Sequence, residues 1–369
     1  MKRVYKFVLV SVFCAFLLTP FFTFAQHMHD ANITTLRAVV LRVVEENTRE
    51  VEGTGVMSTY QIIEARILEG EREGETISLE DDFIRLKEGD KFFLNILQLD
   101  DGSEIYSIGD FDRRGVMLLF FAIFVVAVIA LGKWEGVRAL ISLGGAFLVI
   151  LYILVPGILG GRNPAVVSAL VAIVVLVFVI YFTHGLNRRS HAALLGAVSS
   201  VIFTVFLAYV AVDMGHLSGF TDEAASFLNI QTKGEINFSG LLLGAMIIGI
   251  LGLLDDIAIT QASAVEELYS VAPDISEREV FTRALRVGRG HVSALVNTLA
   301  LAYTGTSLAL LLLFFRVPTS IDMLINREIF ATEILRIIVG SIGIILTVPI
   351  TTLLAVWFLR NKDIKNYEK

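Results

Sequence analysis

Cysteine is almost absent from this chain of 369 residues, which contains only Cys14. A single cysteine cannot form a disulfide or a cysteine-ligated zinc site within one chain. The sequence also lacks three motifs of common catalytic sites: the phosphate-binding GxxxxGK followed by Ser or Thr, the zinc-binding HExxH, and GxSxG, which carries a nucleophile. We therefore predict no cofactor, and these absences argue against an enzyme.

Apolar residues, in contrast, make up 55% of the chain. Several apolar runs reach the roughly 20 residues that a helix needs to cross a bilayer. Helices are expected because backbone exposed to lipid must satisfy its own hydrogen bonds. The fold is predicted to be mainly α, a polytopic transmembrane helix bundle of about seven spans within residues 113–360 of a lipid bilayer. The predicted spans are residues 115–132, 137–155, 165–182, 192–212, 240–258, 294–315 and 334–359.

Residues 1–25 have the pattern of a secretory signal peptide. Lys2 and Arg3 precede an apolar stretch, and Thr23 and Ala25 supply the small residues expected before a cut after Ala25. An uncleaved signal anchor is the alternative. Both interpretations export the segment that follows.

Residues 26–112 lack an apolar run of membrane length. Short β-branched stretches are separated by turn pairs such as Glu52-Gly53 and Glu73-Gly74, a pattern typical of strands joined by tight turns. We expect a small extracytoplasmic antiparallel β domain that is barrel-like, with an OB-like barrel as one form. The segment is acidic, whereas nucleic-acid grooves are basic, so no nucleic-acid binding is predicted. Packing on the membrane part, or on a partner protein, is the better expectation.

Basic residues are distributed unevenly between the predicted loops. If the β domain lies outside, the inner loops and the residues after the last predicted span, which are Arg360 and the cytoplasmic tail 361–369, carry twelve Lys and Arg residues, and the outer loops carry four. This asymmetry predicts a cytoplasmic C-terminus and a multi-pass protein of the inner, cytoplasmic membrane. Arg113 and Arg114 lie just outside the first span and argue against this orientation, because basic residues are expected on the cytoplasmic side.

Two adjacent acids, Asp255 and Asp256, continue an apolar stretch without a break. A carboxylate at membrane depth is costly, so it normally faces protein or water and marks a function. At helical spacing Asp255 shares a face with Glu266, and Asp256 shares the next face with Thr260. With Gln261, these oxygens suit a hard cation or a proton relay. The alternative is that the acids lie at the interface, where they pair with arginine or cap a helix.

A second polar set follows on the next span. Ser293, Asn297 and Thr304 share one helical face, and His291 at the inner end can titrate near neutrality. We include all four among the candidate ion or substrate ligands. The alternative is that the hydroxyl and amide groups only pack helices together, and that His291 is an interfacial side chain.

Pro349 lies in the middle of the last predicted span. Proline removes one backbone hydrogen bond and kinks a helix. The residue is therefore a candidate hinge, with simple packing as an equal alternative.

Three blocks of sequence resemble a known family. The blocks are Gly252 to Gln261 with Glu266, Glu267 and Leu268 behind it; Gly288 to His291 followed by Asn297 to Gly305; and Pro349-Ile350-Thr351. They are similar to the signature of the YibE/YibF-like family of multi-pass bacterial membrane proteins, over about residues 115–359. The resemblance implies a multi-pass inner-membrane protein and implies no particular activity.

Three functions are weighed for these residues. The first is a cation- or proton-coupled transporter or permease for a small ion or solute, in which Asp255 lines the pathway and Asp256 orients the neighbouring helix through Asn297 or Ser293. The second is a non-transporting envelope scaffold or assembly partner that uses the outer β domain, with another envelope protein or a second copy as partner. The third is an intramembrane enzyme, which would need a second acid, and only Asp213 is available. We favour the first, because intramembrane acids usually mark pathways.

Overall fold

The structure is a computed structural model that describes residues 33–51, 55–81, 84–99, 102–316 and 320–360. The predicted signal segment 1–25 and the predicted tail 361–369 lie outside these residues. The chain divides into two compact units, Met1–Ala127 and Val128–Lys369. Each unit has its own buried core.

The first unit contains an antiparallel sheet of five strands. The strands are β1 Ile33–Val51, β2 Val56–Ile67, β3 Thr76–Asp81, β4 Lys91–Gln98 and β5 Glu104–Phe111. Their spatial order is β3-β2-β1-β4-β5. Alternate residues point to one face, where Ala38, Ile63, Phe92 and Leu94 are buried. The predicted β domain is therefore confirmed as an antiparallel sheet with its own core.

The sheet is not closed into a barrel, so the barrel-like and OB-like part of the prediction is wrong. The edge strands β3 and β5 share no ladder in the described part of the chain. Instead Arg72, in the turn before β3, donates hydrogen bonds to Glu104 at 2.8 Å and to Tyr106 at 3.0 Å on β5. Alternating apolar and polar residues predict that one face of a strand is buried. They do not predict whether the two edge strands of a sheet pair to close a barrel.

The rest of the described chain is helical. Helix α1 Arg114–Val149 continues through a π-helical turn, Ile150–Leu154, into α2 Val155–Leu159. The other helices are α3 Pro164–His184, α4 Arg188–Met214, α5 Glu223–Gln231, α6 Phe238–Val271, α7 Glu277–Thr306, α8 Leu308–Arg316, α9 Ile321–Ile325 and α10 Glu328–Leu359.

Five helical segments are long and apolar enough to cross a membrane: Arg114–Leu159, α3, α4, α6 and α10. The α7–α8 pair adds a sixth if its two bent halves form one span. These segments are compatible with a multi-pass membrane protein, as the sequence indicated. The described residues contain fewer membrane-length helical segments than the seven predicted spans, because the first two predicted spans are joined in one segment.

Helix α1 bends sharply at Lys133, where the backbone is non-helical with φ 49° and ψ −129°. A Cβ added at Gly136 would overlap the carbonyl oxygen of Val128. In a straight helix, residues eight positions apart are about 12 Å apart along the axis. The chain therefore turns back on itself here, between the first two spans that the sequence predicted.

Helix α6 lies at the centre of the second unit, since α3, α4, α7 and α10 all pack against it. Small residues permit the close approach of these helices. A Cβ added at Gly244 would overlap the hydroxyl of Ser168 on α3, and one at Gly196 would overlap Thr351 on α10. Such contacts are how membrane helices gain packing energy without a hydrophobic driving force.

The predicted span over residues 294–315 is divided between two helices that are bent relative to each other. The α7 and α8 axes differ by 64°. The carbonyl of Tyr303 accepts hydrogen bonds from the Ser307 N–H at 3.1 Å and the Thr306 hydroxyl at 2.8 Å. Hydroxyl groups that bond nearby backbone compete with the helical ladder, so the run Gly305-Thr306-Ser307 ends α7.

Candidate functional site

The acid pair lies in the middle of α6, an unbroken helix of 34 residues. Asn237 begins the helix, and its side chain accepts a hydrogen bond from the Gly240 N–H at 2.8 Å. Asp255 and Asp256 are followed by more than three further helical turns. The helix therefore does not end at the acids, and neither acid caps it.

The two acids differ in exposure. Asp255 is half-buried, and its Oδ1 atom is buried with no hydrogen-bond partner among the described residues. Asp256 is exposed. A helix turns about 100° per residue, so two adjacent side chains point in different directions.

Asp256 lies on an open face of α6 together with two glycines. Gly249, Gly252 and Asp256 are all exposed and follow the spacing i, i+3, i+7, so they form one stripe. A Cβ added at Gly252 would meet nothing within 4 Å. We call this stripe of Gly249, Gly252 and Asp256 the α6 lane. Its glycines leave a shallow groove along the helix, with the carboxylate at one end.

Two histidines from neighbouring helices lie near the lane. His184, the last residue of α3, and His291 on α7 each interact electrostatically with Asp256. The nearest charge acting on Asp255 is Asp256 itself. Asp256 is thus the acid that two imidazole groups approach. Sequence reasoning missed His184, although a histidine at the end of an apolar span, before Gly185, was a visible signal.

The described residues contain no group of three or more His, Cys, Asp and Glu side chains arranged to hold a metal ion. His184, His291 and Asp256 are therefore near one another without forming a coordination site. Imidazole and carboxylate groups that are not in direct contact can still exchange protons through water or hydroxyl groups.

Gln261 and Thr260 do not extend the lane. Gln261 is 1% exposed, and its Oε1 accepts a hydrogen bond from the Thr352 hydroxyl on α10 at 2.9 Å. Its Nε2 lies against Gly288 on α7 and has no partner in the described part of the chain. Gln261 therefore joins three helices inside the bundle. Thr260 is half-buried one position before it.

Glu266 forms an ion pair with an arginine of α4 rather than lying near the acid pair. Its carboxylate lies 3.2 Å from the guanidinium of Arg189 at the start of α4. Eleven residues separate it from Asp255, about 16 Å along the helix. The two acids share a face, as predicted, but the structure does not bring them together.

The polar face of α7 is exposed. Ser293, Asn297 and Thr304 are all exposed, and no hydrogen bond between described residues joins Asn297 or Ser293 to Asp256. The structure therefore does not make the contact through which Asp256 was expected to orient α7. Of the four residues predicted on this helix, only His291 lies near the acids.

Helix α10 remains continuous through Pro349. The Thr347 hydroxyl bonds the Gly343 carbonyl at 2.8 Å, and the Thr352 hydroxyl bonds the Val348 carbonyl at 2.6 Å. These hydroxyls bond back to the preceding helical turn, one on each side of the proline. The role of Pro349 as a hinge stays a prediction.

A sequence family described as YibE/F-like protein matches residues 120–361. The match covers well over half of the chain and includes the acid pair, both histidines and Pro349. The chain belongs to the YibE/F-like family. The resemblance seen in the sequence blocks is thereby confirmed, and the β domain of the YibE/F-like protein precedes the matched region. Neither a curated protein nor a solved structure matches the chain.

Proposed function

We propose that the YibE/F-like protein is a transporter in which a proton or small cation moves along the α6 lane and is exchanged at Asp256. The observation that supports this proposal is the exposed carboxylate on a glycine face of a central, uninterrupted apolar helix. A charged group in that setting is costly unless it faces protein partners or a water-filled path.

The two histidines favour protons as the exchanged species. A neutral imidazole can accept a proton near physiological pH, and a carboxylate near it can receive that proton through water. His184 and His291 approach Asp256 from two different helices. Asp256 is therefore assigned as the exchanging group, and Asp255 as the supporting group, which reverses the roles predicted from the sequence.

We place the protein in the inner membrane with seven crossings. The segment Arg114–Leu159 has 46 residues, which at 1.5 Å per residue is about 69 Å, more than twice the roughly 30 Å of hydrocarbon. The bend at Lys133 divides it into two arms that can each cross once. With the α7–α8 pair as one span, the β domain lies outside and the C-terminus lies in the cytoplasm, as the distribution of basic residues favours.

A non-transporting scaffold is the second candidate. Among the described residues no strand pairs with the outer edges of β3 and β5, and an extended segment of a partner can add to an open edge. This function needs only the first unit, so it would leave the polar groups of the α6 lane without a role. Binding of an envelope protein or of a second copy of the chain at this sheet edge is also compatible with transport by the membrane unit.

We do not propose an enzyme. An aspartyl hydrolase needs two acids that face each other. Asp213 lines a surface cavity with Gly240, and Gly240 precedes Asp255 by fifteen residues, about 22 Å along α6. That distance is far too long for a catalytic pair.

The test is ion flux into proteoliposomes. Purified protein is reconstituted with the pH dye pyranine inside, a K⁺ diffusion potential is imposed with valinomycin, and ²²Na⁺ uptake is measured in parallel vesicles. We expect flux of one ion above that of protein-free vesicles, its loss in Asp256→Asn, and a smaller reduction in Asp255→Asn. Wild-type flux in Asp256→Asn, or no flux of either ion above protein-free vesicles, would contradict the proposal.

A further inference from the structure

A polar cluster lies where α10 meets α7, away from the acid pair. The guanidinium of Arg336 is 3.1 Å from the carboxylate of Glu333, one turn earlier on α10, and both side chains are only about one-fifth exposed. The Arg336 guanidinium also lies 5.5 Å from the centre of the Tyr303 ring. Ionisable side chains that are largely shielded from water near the end of an apolar helix are costly, and they often mark a function.

The pair is not fully satisfied by its own contacts. Glu333 Oε2 and Arg336 Nε are both buried, and neither has a hydrogen-bond partner among the described residues. The carboxylate thus has one oxygen bound to Arg336 and one oxygen available to take a proton. Polar atoms that are left without a partner in a largely buried ion pair are costly, so this pair is not a closed structural contact.

Tyr303 connects this cluster to the α6 lane. A Cβ added at Gly249 would overlap the Tyr303 hydroxyl, so that hydroxyl rests against the first residue of the lane. Gly249 and Asp256 are seven residues apart, about 10 Å along the helix. Between them, Gly252 presents no side chain. The cluster and Asp256 therefore lie at the two ends of one groove.

The break between α7 and α8 adds an independent observation. The 64° bend at Ser307 comes one turn after Tyr303. Broken helices at membrane depth are tolerated where they are buried in protein or line a cavity, and their ends often border ion sites in transporters. The carbonyl end of α7, which carries the negative end of the helix dipole, is thus placed at the level of the Tyr303–Arg336 contact.

We propose that Glu333, Arg336 and Tyr303 form a second proton-exchange site, at the other end of the α6 lane from Asp256. A proton from water binds the Glu333 carboxylate and weakens its ion pair with Arg336. The proton then leaves the Glu333 hydroxyl, passes along hydroxyl groups and water in the lane, and binds the carboxylate of Asp256. Glu333 returns to its ionised form and pairs again with Arg336, so charge and atoms balance.

This inference rests on the proposed transport function and specifies its ion. Arg336 keeps a fixed positive charge beside Tyr303, at one end of the groove, where it repels a hydrated metal cation. A proton can pass by exchange between oxygen atoms, without a whole cation entering beside Arg336. The transported or coupling ion is therefore the proton rather than sodium or a divalent metal.

The experiment compares proton and ²²Na⁺ flux in proteoliposomes containing the full-length wild type, Glu333→Gln, Asp256→Asn and Glu328→Gln. Glu328→Gln is the matched control, because Glu328 begins the same helix and bonds Ser218 and Gly219 instead of lining the groove. We expect proton flux without sodium flux in the wild type, and a loss of proton flux of about tenfold or more in Glu333→Gln. The control should retain wild-type flux.

The outcomes separate the two proposals. Wild-type or greater proton flux in Glu333→Gln, with flux lost in Asp256→Asn, overturns this inference and leaves the transport function standing. Sodium flux in the wild type also overturns it. Wild-type flux in Asp256→Asn overturns the proposed function itself. If Glu333→Gln is not monodisperse in detergent, Tyr303→Phe replaces it, and unchanged proton flux in that variant overturns the inference.

Discussion

Asp255 and Asp256 are adjacent in the chain, but their side chains differ in exposure in the structure. The sequence showed that both acids lie inside a helical run, because the run continues after them without a break. It could not show which acid is the more exposed, since that depends on where α3 and α7 pack around α6. Asp255 is half-buried and Asp256 is exposed, and this difference arises from the way neighbouring helices pack on α6.

Two glycines on α7 allow a matched test of the packing around Gln261. A Cβ at Gly288 would lie 2.5 Å from Val348 Cγ1 and 2.6 Å from Gln261 Nε2, whereas one at Gly290 would meet nothing within 4 Å. We expect Gly288→Ala to destabilise the protein by about 1–3 kcal/mol, as overpacking of a tight core does. Gly290→Ala should be neutral or stabilising by up to about 1 kcal/mol, because alanine favours a helix.

Thermal unfolding of the two variants in detergent, followed by intrinsic fluorescence, measures this difference. Both variants add one methyl group to the same helix, so the change in composition is the same. Equal melting temperatures for Gly288→Ala and Gly290→Ala would show that α7 does not pack on Gln261 as described.

At the scale of the element, apolar runs and helical spacing located the acids and the Pro349 segment, whereas the lane emerged only from the exposures in the structure. The break at Ser307 was not located from the sequence, because polar residues with hydroxyl groups are common packing residues in membrane helices and gave no unique signal. His184 was missed for a similar reason, since its importance arises only when α3 is brought beside Asp256. The spacing of apolar residues predicts which face of one helix is buried. A functional site is formed by faces of several helices, and their packing cannot be read from that spacing.

The α6 lane predicts a contrast in chemical reactivity along one helix. In a variant without Cys14, a cysteine at Gly252 should react with a small, charged thiol reagent, because the thiolate forms only where water enters. A cysteine at Ala258, which is 0% exposed, should not react. Both positions are on α6, six residues apart, so insertion and expression are matched.

The reaction is followed by mass spectrometry on protein in native membranes. Labelling at residue 258 but not at residue 252 would mean that the groove is filled by lipid or by another helix. Equal absence of labelling at both positions would equally contradict an aqueous lane.

For the whole molecule, the two units lead to separate expectations. The β unit has a core of its own, so we expect residues 26–112 to fold alone, with a β-type circular dichroism spectrum and a cooperative melt. Its stability should fall in acid. Hydrogen bonds from Arg42 lower the pKa of Glu64, and those from Arg72 lower the pKa of Glu75, from the ordinary value of 4.5.

A carboxyl whose pKa is depressed on folding stabilises the folded state above its unfolded pKa, and that contribution is lost as pH falls through the folded pKa. The melting temperature should therefore be steady from neutral pH to about 4.5 and fall below it. A helical or unfolded spectrum, or a melting temperature that rises on acidification below that value, would contradict this expectation.

The orientation of the membrane unit is a second expectation at this scale. A reporter fused after Lys369 should be active only if it folds in the cytoplasm, because the basic residues favour a C-terminus inside. Paired fusions to a cytoplasmic-type and a periplasmic-type reporter give the measurement. Activity of the periplasmic type at this position would reverse the orientation and the assignment of the β unit to the outside.

The central claim is that Asp256 takes up and releases protons within the membrane, and one measurement tests it without knowledge of any further substrate. Proteoliposomes are adsorbed on a solid-supported membrane, and the current that follows a step in pH is recorded. A proton that binds inside the bilayer displaces charge, so a transient current appears even when no cosubstrate is present. We expect this current in the wild type and in Asp256→Glu, and its loss in Asp256→Asn. An undiminished current in Asp256→Asn would contradict the account.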